Sequence, residues 1–417
     1  MSASVVINAA DQGLAVSLKR SEHWNRMKAF GLVIPLLLFI LITFMVPIVE
    51  LLFNSVDNSI VPASLPKTTS MLTQWEPKIS ALPEEAVFKA LSDELRASSN
   101  LEVSKLGSRF NYVQSGTRGL FTKTARQLGS EGSGASSSAQ DRMIGIDGRW
   151  GKTETWTLIR NYSGAFTAGY YLTAFDLRFD SNGSIARESE DSRLYMDVFG
   201  RTFLISAAVT VICLLLAYPV AYLLANLPAR TSNLLMILVL LPFWTSILVR
   251  TTAWVVLLQS EGLVNQALLY LGLTQEPLKL IFNRFGVLIA ITHILLPYAI
   301  LSLYSVMKNI SPVYVRAARS LGAGPIRSFV AVYFPQTMPG VSAAGMLVFI
   351  LALGYYITPA MVGGGNDQMV SYFVAEQVNT TLNWGLASAL GMMLLLSVTV
   401  LYMIYTRLVG SNGMKLG

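Results

Sequence analysis

The chain of 417 residues has little of what most enzymes and secreted scaffolds depend on. It carries one cysteine, Cys213, and two histidines, His23 and His293. A single thiol inside an apolar run excludes a disulfide framework and leaves packing as its expected role. Two distant imidazoles offer no metal-ligand spacing. No Ser/His or Cys/His pair and no paired carboxylates in a recognisable context stand out, so catalysis is not expected. Gly151-Lys152-Thr153 imitates the end of a phosphate-binding loop, but the spacing demands glycine at Ile146, and Gly145 misses by one residue. It reads as a polar turn before a helix. Charge is scarce too, at 13% of residues against 53% hydrophobic.

What is abundant is continuous apolar sequence. A hydrocarbon core of about 30 Å needs about 20 apolar residues in a helix, and six windows qualify: 30–52, 197–225, 232–258, 285–306, 338–361 and 385–407. The runs lack the alternation of barrel strands, so helices are expected. Lys and Arg set the orientation. The segments placed inside carry Lys19, Arg20, Arg26, Lys28, Arg230, Lys308, Arg316, Arg319, Arg327, Arg407 and Lys415 against Asp11 and Glu22, whereas the short outer loops are acidic. Both termini are therefore expected in the cytoplasm. The net charge of +7 is explained by this placement, without a nucleic-acid partner. The first apolar run is too long for the core of a cleaved signal and is expected to stay as an anchor.

The expected fold is an all-α integral membrane protein of six transmembrane helices, with a mixed α/β soluble insertion on the outer side between helices 1 and 2. Its parts are a tail (1–29), the first span (30–53), the insertion (54–191), a core with helices 2–6 (192–410) and a tail (411–417). In the insertion, Pro83-Glu84-Glu85 opens a helix through Arg96. Further helices are expected over Ser108–Leu128 and Trp150–Arg160. Residues 129–139, rich in Gly and Ser, read as a mobile loop. Tyr170–Phe179 reads as a strand ending in a turn at Asp180–Gly183.

The inner loop 307–337 stands out. Ser311-Pro312 is a helix-start signal, after which Tyr314, Ala317, Ala318 and Leu321 fall on one compact apolar face. Gly322 and Gly324 read as hinges before a second short helix, from Pro325 to Val332, that leads to Pro335. A cytoplasmic knob held between two transmembrane helices can pass rigid-body motion into the membrane. The bland alternative is an amphipathic loop resting on lipid headgroups.

This loop resembles the signature of permease subunits of bacterial ATP-binding-cassette importers, in which Glu-Ala-Ala is followed after three residues by Gly and after nine more by Ile-x-Leu-Pro. Ala317, Ala318, Gly322 and Pro335 match at that spacing. Arg316 replaces the glutamate, reversing its charge, while Val332 and Phe334 replace Ile and Leu. Leu241-Pro242-Phe243-Trp244-Thr245-Ser246, Val249-Arg250-Thr251, Ala253-Trp254, Ala217-Tyr218-Pro219 and Ala221-Tyr222-Leu223 are similar to the spermidine and putrescine branch. The likeness covers the first span and everything after about Leu194, but not the insertion.

The resemblance implies a complex with a second permease subunit, two ATPase subunits that hold the ATP and Mg, and a periplasmic solute-binding protein, in the bacterial inner membrane. This chain would contain no cofactor of its own. It has one such loop and no internal repeat of it, so a second permease is required. Tyr314, Arg316, Ala317, Ala318, Leu321, Gly322 and Pro335 are the expected ATPase-coupling residues.

Along the pathway, Arg250 sits in a span where a charge costs about 2.5–3.5 kcal/mol on insertion scales, and it reads either as a gate or as a side chain snorkelling to headgroups. No Asp or Glu lies deep within any span. Phe243, Trp244, Trp254, Tyr298, Tyr355 and Tyr356 are candidates for cation–π contacts of roughly 0.5–2 kcal/mol each, or for packing. Gly363–Gly365 with Asn366 and Asp367 read as a flexible turn at the outer mouth. The cargo stays open between polyamines, another organic cation, an amino acid and an oxyanion. A membrane-anchored sensor would need a cytoplasmic output domain, which the short inner segments do not supply.

Overall fold

The computed structural model of the protein describes residues 24, 27–28, 30–77, 82–130, 138–180 and 183–413. Among these, six helices are long and apolar enough to cross a membrane: Phe30–Asn54, Tyr195–Asn226, Ile247–Tyr270, Arg284–Met307, Pro325–Leu353 and Trp384–Arg407. They are called spans one to six below. The chain divides into two compact units, Met1–Asn54 and Ser55–Gly417. The first span, taken by itself, is a helix with one π turn at Leu41–Met45 and no buried residue in its most apolar window.

In the second unit the insertion has a core of its own, because it contains large apolar side chains at helical spacing. Trp150, Trp156, Phe88, Phe110 and Phe121 are fully buried there. The rings meet edge-on and stacked, with Phe88 4.4 Å from Trp156 and Phe110 5.3 Å from Phe121. Both indoles satisfy their N–H, Trp150 donating to Thr124 Oγ1 and Trp156 to the carbonyl of Trp150, each at 2.8 Å. The helix expected after Pro83 runs Glu85–Ala97. The single helix expected over Ser108–Leu128 is two, Asn100–Asn111 and Thr117–Ser130, parted by a turn in which Gly116 takes φ +85°. A true capping box, Ser99 with Glu102, starts the first of them.

The helix expected over Trp150–Arg160 is a 3-10 turn, Gly148–Gly151, followed by Thr153–Asn161. The expected strand over Tyr170–Phe179 is mostly a helix, Gly169–Ala174, and only Leu177–Phe179 is extended, pairing antiparallel with Ile185–Arg187. The insertion is thus helical with a small hairpin, since the aromatic run around Tyr170 packs inward from a helical turn instead of along a sheet. Residues 131–137 of the Gly/Ser loop and 181–182 of the turn lie outside the described residues.

Spans two, four and five form the membrane core. They meet through small residues, among them Ala217, Ala221, Ala290, Ala299, Ala344 and Ala352, all fully buried, which lets backbones approach closely where lipid supplies no hydrophobic drive between helices. Cys213 is buried here and donates weakly to the carbonyl of Thr292 at 3.6 Å. The window 232–258 is not one helix. Ala229–Leu240 gives way to a 3-10 turn at Leu241–Trp244, and Ser246 then caps a new helix, Ile247–Leu258. Pro242 lacks the N–H that would carry the α-helical ladder on.

The insertion is fastened to the membrane core in three places. Asp176 (φ +55°) accepts from the backbone N–H of Leu194, Tyr195 and Met196 at 3.1, 3.0 and 2.8 Å. A carboxylate from the insertion therefore caps the second span, where the helix dipole favours negative charge. The ring of Tyr170 lies so close to Gly385 that a Cβ there would sit 2.2 Å from it. Tyr112 donates to the carbonyl of Thr381 at 3.1 Å.

Candidate functional site

The loop 307–337 forms an elbow. Ser311 caps the helix Pro312–Ser320 by accepting from Val313, with Pro312 in the first turn. The helix ends in a Schellman arrangement, in which Gly322 N–H bonds the carbonyl of Arg319 and Ala323 N–H that of Ala318, both at 3.0 Å. Gly322 takes φ +89° there, which explains the residue type. Gly324 differs from the sequence reading: its backbone is extended (φ −62°, ψ 166°) and it merely precedes the next helix. One glycine makes the reversal.

The second helix also differs from expectation, because it does not end before Pro335. Pro325–Ser328 passes through a π turn, Phe329–Tyr333, into Phe334–Leu353 without a break. Pro335 cannot donate to Ala331, and the wide turn next to it absorbs the missing bond. Pro339 lies inside the same helix. The elbow is therefore rigidly continuous with the fifth span.

No residue of Pro312–Ser320 is buried. Tyr314 is 56% and Leu321 90% exposed, and Ala317, Arg316 and Pro335 are exposed while Ala318 is half-buried. The face read from the sequence thus points away from the chain's own body. Between the elbow and the C-terminal end of span two lies a groove of about 770 Å³, lined by Arg316, Arg319, Lys308 and Tyr222 among others. Residues 308–337 include Lys308, Arg316, Arg319 and Arg327 and no acid, so the groove is strongly positive.

Sequence reasoning missed the clasp at the elbow's base. Tyr222 stands edge-on to Phe329 (5.6 Å) and Tyr333 (5.2 Å), Tyr218 lies 5.8 Å from Phe334, and the Tyr218 hydroxyl is 3.1 Å from Thr337 Oγ1. Lys308 reaches the carbonyl of Ala225 at 3.3 Å. The repeated tyrosines at Tyr218 and Tyr222, one helical turn apart, were the available signal. Aromatic pairs of this kind add about 0.5–1.5 kcal/mol each beyond area, so motion of the elbow is shared with span two.

The structure brings some of the candidate pathway residues together. Phe243 and Tyr298 lie 4.9 Å apart. Trp254 donates to His293 Nδ1 at 3.1 Å, a partnership not foreseen. Arg250 is half-buried, and its Nε and Nη1 are buried without a hydrogen-bond partner. Tyr355 and Tyr298 pack partly buried against the core of spans two, four and five. Trp244 (76%) and Tyr356 (41%) are exposed and stand apart from these contacts. Nearby, Thr251 and Thr358 hydroxyls meet at 3.1 Å.

The glycines after span five are packed, not a loose turn. A Cβ on Gly363 would sit 2.5 Å from the carbonyl of Pro359, and one on Gly364 2.8 Å from that of Phe282. Asp367 is held by Arg284 at 3.1 Å, and Arg201 bonds the carbonyl of Asn366.

Residues 214–411, which include the elbow and every candidate pathway residue, match the family of binding-protein-dependent transport system inner membrane components. The spermidine/putrescine transport system permease protein PotB of Escherichia coli (strain K12) is 31% identical over 214 residues, 51% of this chain and 78% of that protein. The chain belongs to this permease family. The PotB of Haemophilus influenzae is 32% identical over 214 residues, covering 51% of the permease described here and 75% of its relative. The bacterial alginate transporter crystallised with its pentasaccharide-bound periplasmic protein aligns with 58% of the permease and 82% of its own chain, at 13% identity and a TM-score of 0.45. The permease is a multi-pass inner-membrane component that works with other subunits.

Proposed function

We propose that the chain is the translocation subunit of an importer for polyamines such as putrescine and spermidine, driven by ATPase subunits that grip residues 311–337 from the cytoplasm. One observation carries this reading. The elbow is exposed on its outer face, positive in its groove, continuous with span five and clasped to span two, so a push on it has no path except into the membrane helices. Tyr314, Arg316, Ala317, Ala318, Leu321, Gly322 and Pro335 form the gripped surface. ATP and Mg reside on the ATPases, a second permease completes the pathway, and a periplasmic binding protein delivers the solute.

The relatives, permeases of spermidine/putrescine transport systems, and the aromatic pathway set support this cargo. Phe243, Trp244, Trp254, Tyr298, Tyr355 and Tyr356 offer π faces to an ammonium, and no acid deep within a span holds the cation tightly. Arg250 keeps the path from becoming a deep well for positive charge. The test is uptake of labelled putrescine into vesicles containing the whole complex, with spermidine, amino acids and sulfate as competitors. Competition by spermidine alone is expected; competition by sulfate or amino acids reassigns the cargo, and uptake without added ATP removes the motor.

A further inference from the structure

The helix Pro312–Ser320 has two faces of different chemistry. Val315, Arg316 and Arg319 line the groove beside the C-terminal end of span two, whereas Tyr314, Ala317 and Leu321 do not. At 3.6 residues per turn the two groups fall on opposite sides of the helix. Arg316 and Arg319 stand one turn apart and exposed, and among the described residues neither guanidinium takes part in an ion pair or a hydrogen bond. Like charges at this spacing repel. Lys308, which also lines the groove, is already engaged by the carbonyl of Ala225 at 3.3 Å. Residues 308–337 contain no acid to offset the two arginines.

We infer that the subunit gripping the elbow sends a carboxylate-bearing segment into this groove to pair with Arg316 and Arg319, while an apolar cleft on the same subunit covers Tyr314 and Leu321. The inference rests on the proposed coupling to an ATPase and adds the chemistry of that partner. A cleft lined by one sign of charge focuses its field and draws in the other sign. Guanidinium forks accept carboxylates in a bidentate pair, which fixes register as well as contact. The groove's volume of about 770 Å³ is that of a pocket for a drug-sized ligand, so a short segment enters it and a flat surface does not. A lipid surface is the poorer fit, because it covers only one side of a nine-residue helix at a time. Here both sides are open.

The test is retention of the cognate ATPase by the purified full-length permease, in nanodiscs of phosphatidylcholine alone or mixed with phosphatidylglycerol. Arg316→Gln and Arg319→Gln are each expected to weaken association about two- to fivefold, the size of one exposed ion pair. The double reversal Arg316→Glu/Arg319→Glu is expected to weaken it about tenfold or more, because attraction becomes repulsion, and to remove the weakening by salt seen in the parent. Changing an acid of the ATPase segment that enters the groove to arginine is expected to restore it. Both side chains are exposed, so the melting temperature of the permease should stay at the parent value. Unchanged or tighter association of the double reversal overturns the acidic partner. An effect seen only with phosphatidylglycerol present overturns it too, assigning the groove to headgroups. Leu321→Asp, on the opposite face, keeps the two readings apart. If it releases the ATPase and the double reversal does not, coupling stands and the acidic partner falls; if neither variant loosens the ATPase, the coupling reading falls as well.

Discussion

The insertion and the membrane core are built by opposite rules within one unit of the chain. In the insertion the largest side chains are innermost: Trp150, Trp156, Phe88, Phe110 and Phe121 are sealed from solvent. In the membrane core small side chains, Ala217, Ala221, Ala344 and Ala352, share the interior with aliphatic ones such as Ile291, Leu295 and Leu303 and, among the described residues, with no fully buried aromatic, and Leu215, Leu234, Leu238 and Leu396 face outward. The difference follows from the surroundings. Water drives bulky apolar groups together, whereas lipid is as apolar as leucine and leaves close backbone approach as the attraction. A buried residue thus has a different meaning on each side of Leu194.

Substitutions of opposite size separate the two rules. Trp156→Ala should cost the insertion about 3–5 kcal/mol, the largest effect expected, read as a lower midpoint in tryptophan-monitored unfolding. Ala221→Leu should cost about 1–3 kcal/mol through overpacking against the neighbouring spans, whereas the same enlargement at an exposed lipid-facing position should leave stability within error. Gly322→Val forces a β-branched residue to φ +89°, a local strain of about 1–3 kcal/mol. It should abolish ATP-driven uptake while leaving the melting temperature of the insertion unchanged. Asp176→Asn should cost about 1 kcal/mol by weakening the cap on span two, and hydrogen exchange at Tyr195 and Met196 should report it.

The smallest effect concerns pH and is confined to the insertion. Asp147 is held at about 2, below its ordinary 3.8, first by its hydrogen bond from Arg149 and also by Lys123. Its folded value is depressed, so the stability it adds is complete above about 3.8 and is lost as pH falls toward about 2. Unfolding midpoints followed from pH 5 to pH 2 should fall more steeply in the parent than in Asp147→Asn.

The six spans and the elbow were legible because hydropathy and spacing are local properties. The helix start at Ser311-Pro312 and the reversal at Gly322 were readable for the same reason, each being set by one residue's conformational limits. What the sequence hid was assembled from distant residues. The Tyr218–Tyr222 clasp on Phe329, Tyr333 and Phe334, the Trp254–His293 bond and the Asp176 cap on span two each join segments far apart in the chain. Boundaries slipped at prolines: Pro242, inside the expected window 232–258, breaks the helix, whereas Pro335, expected beyond the end of the second helix, is carried through by the adjacent π turn. The strand expected at Tyr170 failed because aromatic density signals burial before it signals extension.

Tyr170 beneath Gly385, Tyr112 on Thr381 and Asp176 at the head of Tyr195–Asn226 make the insertion a bracket bolted to the rim of the bundle instead of a bead on a string. A molecule that seizes this bracket takes hold of the second and sixth helices together, and excising it would leave two transmembrane segments to find new moorings.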